Sequence, residues 1–177
     1  MIALYTSVTR QLDRIDLSLM ARIVFAATLA GYFWKSAATK LFDRNETGLA
    51  DLLSLNPNVY AQIFPKAFEA AGYDPSALSG FHALIAWAGT LAEYVLPLLI
   101  IIGLLTRLAA LGMIGFVIVQ TATDIWGHGA TAGALFDGRY QLLDERSLWI
   151  ALFLVLVFKG GGLLSIDRAA AKRLSAY

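Results

Sequence analysis

The sequence predicts an all-α integral membrane protein: a four-helix bundle with both termini in the cytoplasm and long outer loops after helices one and three. Three observations carry this. First, 58% of the 177 residues are hydrophobic, only 15% are charged, and the mean hydropathy is +0.65. Soluble domains run at about 45–50% apolar and about 25% charged, so a water-facing surface would be starved of charge. Second, four stretches approach the roughly 20 apolar residues that a spanning helix needs. Third, Arg10, Arg14, Arg107, Arg168, Lys172 and Arg173 crowd short segments on one side. On the other side Lys40, Arg44, Lys66, Arg139 and Arg146 are spread over longer, acid-rich segments. The denser cations mark the cytoplasmic side.

The first helix is expected over 17–41. Arg10 and Arg14 precede an apolar run too long for a signal-peptide core, so the segment is read as a retained span. Ala27, Gly31 and Lys35 share one of its faces. An outer connection, 42–80, follows, containing "NPNVYAQIFPKAFEAAGYDP". Prolines bound an amphipathic aromatic pattern there, which predicts a short interfacial helix over 58–71. Ile63, Phe64, Ala67 and Phe68 should face lipid or the bundle mouth, with Gln62, Lys66 and Glu69 in water.

The second and third helices are expected over 81–105 and 108–125, with Thr106–Arg107 as the tight turn between them. Ala86, Gly89, Thr90 and Glu93 share a face of the second, and Gly112 and Gly115 a face of the third. Small residues at this spacing let helix backbones approach in lipid. The connection 126–146 is rich in glycine and turn formers, and the fourth helix is expected over 147–166. The whole chain reads as one membrane domain, 1–177.

Glu93 lies in "AGTLAEYVLPLLIIIGLLTR", four residues before Pro97 and roughly 15–20 Å from either end of its segment. An ionised carboxylate at that depth must face the bundle and find a partner. It is read as a proton donor or acceptor, or as a hydrogen-bond anchor for a quinone-like headgroup. The structural alternative is a tie between helices, with Pro97 freeing a carbonyl for a neighbour. Lys35 is the expected cation. Lys40, Lys159 and Arg22 are read as interfacial anchors whose stems snorkel. His82 and His128 fall on the outer side without the supporting residues of a metal site, and no metal is expected. With Trp34, Trp87, Trp126 and Asp124 they form a candidate polar rim for a quinone or substrate pocket, against the plainer reading of the tryptophans as an interfacial belt.

Cysteine is absent, which excludes disulfides, Cys-ligated clusters and thiol relays within the chain. A net charge of +1 without a basic, aromatic-interleaved run excludes a nucleic-acid binder. "KGGGLL" lacks the spacing and preceding strand of a dinucleotide fingerprint.

"AEYVLPLLIIIGLLTRLAALGMIGFVIVQ" resembles the central hairpin of the DoxX family. "ARIVFAATLAGYFWKSAATKLFD" resembles that family's first helix and "DERSLWIALFLVLVFKGGGLLSID" its last. The likeness covers about residues 21–168. The departures are a long 42–80 connection, and Gly160–Gly162 where Gly-Pro-Gly is common. The resemblance implies a multi-pass protein of a bacterial or archaeal cytoplasmic membrane, associated with respiratory or sulfur redox chemistry. The expected function is therefore a membrane subunit of a quinone-linked redox system, which binds and positions a quinone or small substrate. The alternative is a non-catalytic scaffold recruiting soluble redox or stress-response partners through its two long loops. Expected partners are the lipid bilayer and a soluble or membrane redox subunit, with a homo-oligomer left open.

Overall fold

The computed structural model describes residues 1–12, 14–41, 54–135 and 139–175. Nine α-helices form among them, with no strand. α1 (Ile2–Leu12) precedes α2 (Leu17–Thr28) and α3 (Ala30–Leu41), two halves of one bent rod. α4 (Asn58–Ile63) and α5 (Pro65–Ala70) are short. α6 (Gly80–Ile102) and α7 (Thr106–Ala122) form the central hairpin, and a π-helical turn (Thr123–Gly127) continues α7. α8 (Leu142–Lys159) and α9 (Ile166–Leu174) complete the order.

α2–α3, α6, α7 and α8 pack in a closed ring: α3 on α6, α6 on α7, α7 on α8, and α8 back on α2. Its centre is aromatic, with Phe25 edge-on to Phe153 at 5.5 Å and Phe33 edge-on to Trp149 at 5.8 Å. Ile100, Met113, Val117 and Leu156 fill the space around them. Isoleucine, valine and leucine outside this core point outward along the same helices, as lipid-facing residues do. By length and composition α6 and the α7 rod can each cross a membrane. The α2–α3 pair, bent by 45° at Leu29, is a third span if counted as one. α8 is 18 residues long and carries Asp144, Glu145 and Arg146 in its first turns and Lys159 at its last. The four expected spans thus stand at two to three.

Several boundaries differ from the sequence expectation for local reasons. Thr106 and Arg107 are not the hairpin turn but the first residues of α7; the turn is 103–105. Asp167 moves the boundary by capping α7 from outside. Its carboxylate accepts from Leu105 N (2.7 Å), Thr106 N (2.9 Å) and Thr106 Oγ1 (2.7 Å), satisfying donors that a helix start leaves open. Gly103 ends α6 at φ +70°, where a Cβ would lie 2.5 Å from that of Ser165. α8 begins at Leu142 rather than 147 and stops at Gly160 (φ +78°), well before 166.

The expected 58–71 helix is two helices, because Phe64 leaves the helical region and Pro65 starts a new first turn, where its missing N–H costs nothing. Phe68 is buried, Ile63, Phe64 and Ala67 are half-buried and Lys66 and Glu69 are exposed, as the pattern predicted, but Gln62 is half-buried; Val59, outside that pattern, is buried too.

Arg22 is no interfacial anchor. It is 6% exposed, and its guanidinium donates to four carbonyls: Ile100 (2.8 Å), Ile101 (2.5 Å), Gly161 (2.8 Å) and Leu164 (2.5 Å). These include unpaired carbonyls at the end of α6, so one planar cation locks α2, α6 and the 160–164 turn together. The Ala27–Gly31–Lys35 face also turns away from the core; all three are exposed.

Candidate functional site

Glu93 sits on the face of α6 that Ala86, Thr90, Pro97 and Ile100 bury. Its carboxylate is 2% exposed and faces α3. The cation it meets is Lys40, not Lys35. Lys40 Nζ lies 2.6 Å from Oε1 and 2.5 Å from Oε2, and its side chain is 7% exposed. Ser36 bridges the pair, donating to Glu93 Oε1 at 3.0 Å and accepting from Lys40 at 3.0 Å. All three ammonium donors and both carboxylate oxygens are engaged, which is what makes a pair tolerable away from water. Lys40 therefore does not snorkel outward, and Lys35 is exposed on the opposite face of α3.

A cavity of about 640 Å³ opens beside this pair, between α3, α6 and α7, with α4 across its mouth. Its apolar wall is made from small residues. Ala88, Gly89 and Ala92 from α6 face Gly112 and Gly115 from α7, flanked by Leu96, Phe116 and Val119. A Cβ on Gly115 would meet nothing within 4 Å, so that space is open, whereas one on Gly112 would press Leu96 at 3.1 Å. Ala88, Gly115 and Val119 are themselves exposed, so the cavity is a groove on the outer surface of the two apolar spans.

The other end is polar. Tyr32, Ser36, Lys40, Gln62, Glu93, Gln120, Asp124 and His128 all line it. Gln120 Nε2 donates to the Tyr32 hydroxyl at 2.6 Å, and His128 Nε2 lies 2.9 Å from the Gln62 carbonyl. Behind Asp124 stands Arg146, 3.3 Å from its carboxylate and 4.1 Å above the Trp149 ring. Among the described residues, Arg146 Nε and Nη1 and Gln120 Oε1 are buried without a hydrogen-bond partner. Of these residues Gln120 lines the groove, and an unpaired buried polar atom at one end of an apolar groove fits an amphiphilic ligand with a polar head. The π-helical turn that carries Asp124 is of a kind found frequently at functional sites.

Of the residues named from sequence, Glu93, Asp124 and His128 come together in this groove. Lys35, Trp34, His82, Trp87 and Trp126 do not line it. Trp34 donates its indole N–H to the Tyr94 carbonyl at 3.3 Å. His82 Nδ1 is 2.8 Å from Ser79 Oγ, and its ring packs edge-on to Phe64. Trp126 is 74% exposed. Among the described residues no three His, Asp or Glu side chains could share a metal ion. Lys40 did have a signal: Phe33, Ala37 and Lys40 follow the 3–4 spacing of a single buried face, and Lys35 breaks it. Tyr32, Gln62, Gln120 and Arg146 had none, because they converge from separate elements.

A family model described as DoxX matches residues 17–129, which contains every residue lining the groove. Neither the curated proteins nor the solved structures yield a match.

Proposed function

The chain belongs to the DoxX family and is a membrane protein, and on that premise we propose that it is the membrane subunit of a quinone-linked redox system in a bacterial or archaeal inner membrane. The groove holds a quinone. One observation carries this: a single cavity joins an apolar wall on the lipid-facing surface to a buried, fully hydrogen-bonded Lys40–Glu93 pair. An amphiphile dissolved in the bilayer reaches such a site sideways, head toward the polar end. A soluble substrate would need an aqueous mouth instead.

The residues present suit the group. A quinone carbonyl needs donors. Tyr32, whose oxygen already accepts from Gln120, has its own hydrogen to give, and the unfilled N–H groups of Arg146 hold a positive field behind Asp124. When bound, the quinone supplies two-electron, two-proton chemistry, with electrons from a redox partner or a small reduced donor. The chain lacks cysteine and carries no electrons on its own side chains. Its residues bind the head, exclude water and manage protons. Glu93 can take up a proton from the groove while Lys40 and Ser36 keep the carboxylate oriented.

Photolabelling with an azido-quinone tests this. Adducts should map to 85–96, 112–128 or 32–40 and compete with unlabelled quinone. Adducts spread along the lipid face without competition would contradict the proposal. A second reading, a scaffold for soluble partners, draws on the exposed Tyr73, Trp126 and Tyr140 near this end. It expects a copurifying soluble subunit and no retained quinone.

A further inference from the structure

The opposite end of the bundle carries two clefts, of about 570 and 660 Å³, that adjoin one another. They share Lys159, Gly162 and Arg168; Arg107 lines the first and Arg14 the second. All four cations are exposed, and none makes an ion pair with a described residue.

The acids beside them are already occupied. Asp167 accepts from the first donors of α7. Asp16 accepts from Leu19 N at 3.1 Å and from Leu163 N. In both carboxyls burial pushes the pKa up, but the backbone donors outweigh it and hold the groups below the usual carboxylate range. Backbone donors orient these carboxylates without cancelling their charge, and Asp16 also feels Arg168, so the joined clefts set four cations against two carboxylates and stay net positive.

The turn at Gly160–Gly162 makes the arrangement possible. A Cβ on Gly160 would stand 3.3 Å from Arg107 Nε, and one on Gly162 would collide with the Asp16 carboxylate at 2.5 Å. Side chains there would push Arg107 off the turn and break the Asp16 clasp. Around the clefts Leu17, Leu105, Leu108, Leu163 and Leu164 are exposed. Since α6 ends and α7 begins here, this ring of leucines lies at one end of the two apolar spans.

We propose that these joined clefts bind the phosphate headgroup of an anionic phospholipid, with its acyl chains along the exposed leucines. Basic pockets between helices at the membrane boundary suit such headgroups. The cations hold the phosphate and the leucines select a lipid over a soluble phosphate, because only a lipid uses both.

Native mass spectrometry of the full chain in mild detergent decides it. The probes are phosphatidylglycerol, phosphatidylcholine and inorganic phosphate. Phosphatidylglycerol should bind about tenfold or more better than phosphatidylcholine, and Arg107→Gln with Arg168→Gln should remove most of that preference. A control with the same loss of charge at Arg10 and Arg173, exposed on α1 and α9 outside the clefts, should keep it. Equal binding of the zwitterionic lipid would overturn the proposal. So would equal loss in the control, which would mean a diffuse field. Displacement of the lipid by equimolar inorganic phosphate would overturn it too, identifying a free-phosphate site.

Discussion

Lys40 and Glu93 illustrate how a buried ion pair constrains its neighbours. With every donor and acceptor engaged, removing one partner strands the other. Lys40→Met or Glu93→Gln alone should each destabilise the fold by about 3–5 kcal/mol, and Lys40→Met with Glu93→Leu should recover most of that. Unfolding in mixed detergent micelles gives the double-mutant cycle; additive losses would mean the two side chains do not interact. Arg22 makes a parallel case. Each bond from a charged donor is worth about 1.5–3 kcal/mol, and Arg22→Gln loses most of four. That variant should melt lower than Lys35→Gln, whose wild-type side chain is exposed. The sequence announced Glu93 by its depth, but it announced Arg22 and Lys40 wrongly. A long cation near a helix end reads equally as a snorkel or as a buried clamp. The carbonyls that Arg22 binds are some 80 and 140 positions away along the chain, beyond any local pattern.

At the scale of elements, apolar length was enough to find the hairpin and the first rod. Boundaries were less legible, because partners distant in sequence set them. Asp167 fixes the start of α7 from the far side of α8, and nothing in "GLLTRLAA" encodes it. This clasp also sets a pH dependence. Asp16 and Asp167 have folded-state pKa values below the ordinary 3.8. The stability they contribute is therefore fully present above that value and is lost as pH falls through the depressed ones. Melting temperature should be flat from neutral pH to about 5 and fall below about 4. Asp167→Asn should flatten the acid limb; an unchanged limb in that variant would place the sensitivity elsewhere. Gly103→Ala, at φ +70° with Ser165 in the way, should destabilise more than Gly115→Ala, which meets open space.

For the molecule as a whole, the sequence foretold an all-helical membrane protein and singled out Glu93, Asp124 and His128, which line the groove, but not the groove itself. The groove exists because glycine and alanine on two helices face each other, and sequence alone does not say which small-residue stripe packs and which lines a void. Ala27–Gly31 was the packing candidate and is exposed; Gly115 borders empty space, and a Cβ on Gly89 would touch only Ile63, at 3.7 Å. The orientation proposed from charge density, with both termini in the cytoplasm, is open to cysteine labelling from outside. Single substitutions at Ser54 and Ala134, both exposed, should react, and one at Ser175 should not. Outside labelling of Ser175 would invert the topology and put the cationic clefts on the outer face.

A quinone in the groove beside Lys40–Glu93 is what we propose above all. Mass spectrometry of the small molecules kept through mild-detergent purification, wild type against Gly115→Leu, tests it most directly. Leucine at 115 enters open space, so the variant should fold and melt like the wild type while its side chain fills the groove. Near-stoichiometric quinone is expected on the wild type, and its loss from the variant. Quinone absent from both, or retained equally by both, would contradict it.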